Sequence, residues 1–141
     1  MKLQIASDLH HEIASDAPLC GNPLPLARGA EALVLAGDIH AGMGAVGLYR
    51  DYAAPVIYVH GDNEQTLATC AQLVAQLRKE AKGTSVHFLE NGERIIDRVR
   101  FLGAYLRTAR PFSLEKHDRS QIPQSRETRR FAIPRSWPRH S

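Results

Sequence analysis

Short apolar runs that end in acidic residues constrain the fold of this chain more than any other feature. Ala32–Ala36 is followed directly by Gly37-Asp38, and residues 55–59 are followed by His60-Gly61-Asp62. Short runs without polar alternation are typical of parallel strands that are buried on both faces. Parallel strands need crossover connections, usually helical, so the pattern indicates an α/β domain.

The remaining pattern supplies further strands and their connections. Alternating or β-branched segments predict strands at residues 2–7, 86–89, 94–97 and 99–104. Proline and glycine over residues 16–29 indicate an irregular connection, and a short helix is expected around Val46, Leu48, Tyr49 and Tyr52.

Residues 64–82 form the clearest amphipathic helix in the sequence. Apolar side chains recur there mostly at spacings of three and four, which places Cys70 in the predicted core. Asn63 is the predicted N-cap, Glu64 a favourable charge in the first turn, and Gly83 the residue that ends the helix. The apolar stripe consists of Leu67, Cys70, Ala71, Val74, Leu77 and Ala81.

Composition excludes several classes of protein. The chain has 141 residues, of which 43% are hydrophobic and 23% charged, and this mixture suits one globular domain rather than a disordered chain. Its apolar runs are shorter than the roughly 20 residues that span a bilayer, and its first residues turn polar too early for a signal peptide. Cys20 and Cys70 make no disulfide framework, so we expect a cytoplasmic protein without a membrane partner.

Charge divides the chain into two parts. Residues 1–106 hold 9 Lys+Arg against 12 Asp+Glu, a net −3, whereas residues 107–141 hold 9 against 3, a net +6. The second part is rich in arginine and proline and has lost all apolar periodicity. We therefore predict a domain at 1–106 and a basic tail at 107–141 that is disordered or frameshift-derived. The alternative is a nucleic-acid-binding arm, because Lys and Arg displace counterions from phosphate backbones.

Possible metal ligands follow three of the predicted strands. Asp8 and His10 follow the first, Asp38 follows the second, and Asp62 follows the third. Because sites in open α/β sheets lie beyond the carboxyl ends of the strands, we expect these side chains to converge. Carboxylate and imidazole ligands suit Mn, Fe or Zn, and a pair of such ions is a common device for cleaving phosphate esters.

The order of these motifs resembles the calcineurin-like metallophosphoesterases of bacteria. That family has a DxH motif, then GD, then GN followed by a histidine and an acidic residue, and later a GHxH motif. Here Ser7-Asp8-Leu9-His10 is followed by the run ending in Gly37-Asp38-Ile39-His40 and then by Gly61-Asp62-Asn63-Glu64. The resemblance covers about residues 1–106.

The resemblance implies a fold, a reaction and a role for each residue. The fold would be the N-terminal half of a four-layer α/β/β/α sandwich, and the reaction would be hydrolysis of phosphate mono- or diesters. Of two divalent metal ions, Asp8 and His10 would bind the first, Asp38 would bridge both, and Asp62 would bind the second. Asn63 would stand where the family has its catalytic histidine.

Three departures from the family bear on activity. Asp62 replaces an asparagine, and Asn63 replaces the histidine, so its amide can donate a hydrogen bond but cannot transfer a proton near neutral pH. The sequence contains no HxH pair, although those histidines complete both metal sites in the family. We therefore expect weak activity or none, with the second metal site incomplete. His60, three residues before Asn63, is an alternative proton donor.

The remaining histidines of the predicted domain are expected to play no part in the chemistry. His11 is expected to be an exposed neighbour of the site, His40 a loop residue, and His87 a packing residue.

Three functions remain open. The chain is a phosphoesterase acting on an unidentified ester, a non-catalytic degenerate member of the family, or a nucleic-acid-binding module that uses its basic tail. The sequence leaves the oligomeric state open.

Overall fold

The apolar runs of the sequence form a four-stranded parallel sheet. In a computed structural model, which describes residues 1–13, 21–67 and 69–106, the strands are β1 (Leu3–Ala6), β2 (Ala32–Ala36), β3 (Val56–Val59) and β4 (Val86–Phe88). They lie in the order β1-β2-β3-β4, and each neighbouring pair is parallel. The predicted α/β class is confirmed. The predicted tail, residues 107–141, lies outside the described residues.

Helical segments connect the central strands. Helix α1 (Gly44–Tyr49) joins β2 to β3, and a 3-10 helix (Asn63–Leu67) followed by helix α2 (Cys70–Glu80) joins β3 to β4. Side chains alternate along a strand, so every second residue of the sheet faces these helices. The core lies there and consists of Leu33, Leu35, Ile39, Ala45, Val46, Tyr49, Val56, Tyr58, Leu73, Leu77 and Val86.

The start of the long helix was predicted wrongly. Helix α2 begins at Cys70, and its N-cap is Thr69, whose hydroxyl accepts a hydrogen bond from Gln72 N at 3.4 Å while Thr69 N donates to Gln72 Oε1 at 3.2 Å. This capping box outcompetes Asn63, which begins the 3-10 helix instead. Leu73 and Leu77 are the buried residues of α2, whereas Cys70 is exposed at its first position, so the predicted core position of Cys70 is wrong.

A small antiparallel sheet follows the parallel one. Strands β5 (Gly92–Ile96) and β6 (Val99–Gly103) pair as a hairpin, at the two places where the sequence predicts strands. The chain reverses at Asp97 and Arg98, which both have positive φ, as two-residue hairpin turns require. A Cβ on Gly103 would lie 3.1 Å from Val59 Cγ2, so the absence of a side chain there brings β6 against β3.

The sheet face away from the helices is covered unevenly. Ile57 on β3 is buried beneath the hairpin side of the molecule, but Leu3 and Ile5 on edge strand β1 are 40% and 68% exposed. The β1 edge is tied to the irregular connection by Gln4, whose side chain donates to Pro25 O and accepts from Ala27 N. Among the described residues, none of the helices has the length and apolar character needed to cross a bilayer.

We predict that the helix-covered face carries most of the stability. Leu77 is fully buried in the core, whereas Leu102 on β6 is 51% exposed. Leu77→Ala should lower the free energy of unfolding by about 2–5 kcal/mol, because it removes buried methyl groups and leaves a cavity. The matched substitution Leu102→Ala should change it by only about 0.5 kcal/mol. Urea denaturation measures both values. Equal losses of stability in the two variants would mean that the helix-covered face does not carry most of the stability.

Candidate functional site

Three predicted site residues converge at the carboxyl ends of β1 and β2. One ligand atom from each of Asp8, His10 and Asp38 lies within 4.8 Å of the others. The two segments that carry them run side by side beyond the sheet, because Asp8 N donates to Gly37 O at 3.1 Å and His10 N donates to Asp38 O at 3.2 Å. The parallel pairing of β1 with β2 therefore continues into the loops and sets the spacing of the three side chains.

All three residues adopt backbone angles that side chains rarely take. Their φ values are 53° for Asp8, 45° for His10 and 55° for Asp38, in the left-handed region. Asp and His are among the residues that tolerate this region best, but each still costs on the order of 1–3 kcal/mol. Such strain persists only where surrounding contacts maintain it, and it is concentrated at functional sites.

Asp38 is held by the loop that follows β3. Asn63 N donates to Asp38 Oδ1 at 2.8 Å. Gly61 packs directly on Asp38, and a Cβ added to Gly61 would lie 2.7 Å from Asp38 N. The backbones also approach each other at Gly37, where a Cβ would lie 3.2 Å from Gly61 Cα. Glycine at position 61 is thus what allows the second and third strand ends to meet.

A buried carboxylate joins the same two strand ends. Glu64 has no exposed surface and accepts hydrogen bonds from Ile39 N at 2.9 Å, Asp38 N at 3.2 Å, Gly61 N at 2.8 Å and the Tyr58 hydroxyl at 2.9 Å. Burial, and then the negative charges of Glu64 and Asp38, raise the pKa of Tyr58, so its hydroxyl remains a donor. Glu64 does lie in a first helical turn as predicted, but its main contacts are across the strand ends.

Glu12 connects the loops on the solvent side of the cluster. Its Oε1 accepts from Asn63 Nδ2 at 2.7 Å and lies 3.5 Å from His10 Nδ1, and its Oε2 accepts from Ala41 N at 3.2 Å and lies 3.9 Å from His40 Nδ1. Partial burial raises the pKa of Glu12, but hydrogen bonds from backbone N–H groups and from Asn63 outweigh it, so the pKa lies below its usual value. Glu12 is therefore a carboxylate at neutral pH.

Asp62 and Asn63 are near the cluster but are engaged elsewhere. Asp62 does not belong to the group of converging ligand atoms, and its carboxylate accepts a hydrogen bond from the Tyr105 hydroxyl. The Asn63 amide donates to Glu12. The two positions at which the sequence departs from the family motif thus have hydrogen-bond partners of their own.

The other histidines differ in their surroundings. His11 was predicted to be exposed, and this is wrong: it is 1% exposed, and its Nε2 lies 3.0 Å from the Tyr49 hydroxyl in the core. His40 lies in the loop after β2, as expected. The His60 side chain has no exposed surface and stacks on Tyr105, with ring centroids 4.6 Å apart. That burial makes His60 a poor proton donor to a substrate.

A pocket of about 350 Å³ opens beside Asp38. Its volume is at the small end of the range for ligand sites, which is about 300–1,000 Å³. Asp38 and Asp62 contribute carboxylates to its lining, together with residues at the ends of β2, β3 and β6. The lining residues are Ala36, Gly37, Asp38, Val59, His60, Gly61, Asp62, Ala104, Tyr105 and Leu106.

Two residues of this region were missed from the sequence. Glu12 follows the DxH motif by two positions and has no distinguishing spacing, and Tyr105 follows β6, far from the other site residues in sequence. The only signal for Tyr105 is that it lies two residues after a strand end, as Asp8 and Asp38 do.

Comparison with known proteins adds no assignment, because no family model, curated protein or solved structure matches this chain.

We predict opposite effects from two glycine substitutions. Gly61→Ala should lower the free energy of unfolding by about 1–3 kcal/mol, because the new Cβ meets the Asp38 backbone, which cannot move aside cheaply. Gly47→Ala in α1 should raise it by about 0.5–1 kcal/mol, since that position is open and Ala favours a helix. Thermal denaturation of both variants measures whether each substitution raises or lowers the stability. A neutral Gly61→Ala would mean that the strand ends are not closely packed.

Proposed function

We propose that this chain is a divalent-metal-dependent phosphoesterase that hydrolyses phosphate mono- or diesters. The observation that carries the proposal is the convergence of Asp8, His10 and Asp38 within 4.8 Å at the ends of two parallel strands. These are the residues that the DxH and GD motifs supply in the metallophosphoesterases that the sequence resembles. All three residues also have left-handed backbone angles, which are concentrated at functional sites.

The chemistry of the three side chains fits a divalent cation. Two carboxylates and an imidazole are a donor set suited to Mn, Fe or Zn. Among the described residues, His10 Nδ1 has no exposed surface and the Glu12 carboxylate lies 3.5 Å from it, too far for a strong hydrogen bond, so a bound cation would satisfy this nitrogen better. A cation held there would supply Lewis-acid activation of a phosphate ester.

The residues around the cluster would bind and orient rather than transfer protons. The Asn63 backbone N–H fixes one oxygen of Asp38, and the Asn63 amide is itself fixed by Glu12. Since an amide has no proton to give near neutral pH, the leaving group would depart without a general acid from position 63. We therefore propose slow turnover, whereas the alternative, a non-catalytic degenerate member of the family, would show none.

The layered fold of the resembling family is part of the same proposal. We infer that the chain corresponds to the N-terminal half of a four-layer α/β/β/α sandwich. What supports this is the packing of helices on one sheet face and of the β5–β6 hairpin near β3 on the other, with Leu3 and Ile5 left exposed. A cytoplasmic location and a nucleic-acid-binding role for residues 107–141 stay predictions, and that segment lies outside the described residues.

The proposal predicts manganese-dependent hydrolysis that needs Asp38. With added Mn²⁺, the full chain should slowly hydrolyse p-nitrophenyl phosphate or its bis ester, and Asp38→Asn should lower the rate by roughly 100-fold or more. That exceeds the 10- to 100-fold loss that is typical when a residue hydrogen-bonded to a metal ligand is replaced. Asn keeps the size of Asp and tolerates the positive φ, so this variant removes mainly the charge.

Asp51 provides the matched control. Its side chain is 92% exposed in the turn that precedes β3, at the opposite end of the parallel strands from the cluster, so Asp51→Asn should leave the rate unchanged. The measurement is p-nitrophenol release over a range of Mn²⁺ concentrations. No turnover with Mn²⁺, Fe²⁺ or Zn²⁺, or equal rates for the wild type and Asp38→Asn, would contradict the proposed function.

A further inference from the structure

Tyr105 is fixed at three points in the pocket beside Asp38. Its backbone N–H donates to Glu90 Oε2 at 2.8 Å, its ring stacks on His60 with 26° between the ring planes, and its hydroxyl donates to the Asp62 carboxylate. The chain brings Tyr105 there because β6 ends at Gly103, two residues earlier. Three attachments at the backbone, the ring and the hydroxyl leave the side chain little freedom.

The residues behind Tyr105 are themselves rigidly placed. The His60 side chain has no exposed surface and lies between Tyr105 and Phe88, with ring centroids 4.6 Å and 5.9 Å away. Glu90 Oε2, which accepts the Tyr105 N–H, also lies 3.6 Å from His60 Nε2. Since the entropy of ordering Tyr105 is already lost in the folded chain, its hydroxyl meets Asp62 without further cost.

The bond to Tyr105 competes with any cation at Asp62. A hydrogen bond to a charged group is among the stronger ones in proteins, and breaking it would weaken the binding of a competing cation by roughly 10- to 100-fold. Asp62 also stands apart from the ligand atoms that converge at Asp38. The sequence contains no HxH pair that could contribute imidazoles to a second ion.

We propose that this chain binds one divalent cation, at Asp8, His10 and Asp38, and that the Tyr105 hydroxyl takes the place of a second ion on Asp62. Tyr105 is then a positioning residue that holds Asp62 at the wall of the pocket. The inference rests on the proposed function, since it assumes that the three-residue cluster binds a cation. It differs from the two-ion site that the resemblance implies, and the difference can be measured without turnover.

To test this, the full chain is titrated with Mn²⁺ alone, and binding is measured by calorimetry and by electron paramagnetic resonance. The wild type should bind one equivalent, with any second equivalent much weaker, and should give the spectrum of an isolated ion. Tyr105→Phe should tighten the second step by roughly 10- to 100-fold, because it removes the hydroxyl that competes with a cation for the Asp62 carboxylate. Phenylalanine keeps the stack on His60, so the fold should be retained.

Two further variants control for indirect effects. Adding Asp62→Asn to Tyr105→Phe should abolish the gain, because it removes the carboxylate that a second ion needs. Tyr52→Phe also removes one phenolic hydroxyl, which donates to Leu24 O at 2.7 Å, and it should bind Mn²⁺ as the wild type does.

Each result has a defined meaning. Two equivalents of similar affinity in the wild type, or an unchanged second step in Tyr105→Phe, would overturn the inference while leaving the cluster as a cation site. Binding of no Mn²⁺ by the wild type would overturn both the inference and the proposed function. Because the wild-type stoichiometry alone can contradict the inference, the test remains decisive even if Tyr105→Phe fails to fold.

Discussion

The buried carboxylate of Glu64 is the interaction on which the arrangement of the strand ends depends. It accepts three backbone N–H groups, from Asp38, Ile39 and Gly61, and one hydroxyl, from Tyr58. A lone buried charge is very costly, but one with four donors is satisfied and joins the segments that supply them. Glu64 therefore fixes the end of β2 against the end of β3, which is where Asp38 must lie to meet Asp8 and His10.

Glu64 supports the strained backbone at Asp38, and hydrogen bonds between the strand ends support it at Asp8 and His10. Left-handed angles at three neighbouring site residues together amount to a few kcal/mol, which is a substantial part of the stability of a small domain. Donation of Asp38 N to Glu64, and of Asp8 N and His10 N to the neighbouring strand end, satisfies the backbone in that conformation. The strained angles point the three side chains toward each other, which regular strand geometry would not do.

Much of this fold could be predicted from the sequence, because apolar runs and turn residues report local structure. The bounds of β2 were predicted as Ala32–Ala36, and the two strands of the hairpin were expected in the right places. The start of α2 was missed because the apolar spacing extends back to Leu67, although Thr69 and Gln72 carry the T-x-x-Q pattern of a capping box. The error carried over to Cys70, which was assigned to the core.

The site was only partly predictable, for a different physical reason. Motif order predicted which residues meet at the strand ends, but periodicity along the chain says nothing about contacts between distant segments. Glu64 looked like a helix-terminal charge, and Tyr105 belonged to no motif, yet each makes its decisive contact across a gap in sequence. Such contacts become visible only once the register of β2 against β3 and the path of β6 are known.

The proposed divalent-cation site at Asp8, His10 and Asp38 can be tested by locating the ion itself. Crystals of the full chain soaked in Mn²⁺, with diffraction data collected at the manganese absorption edge, would test it most directly. We expect an anomalous difference peak within coordinating distance of all three side chains. The absence of a peak there, with manganese bound elsewhere or not at all, would contradict it.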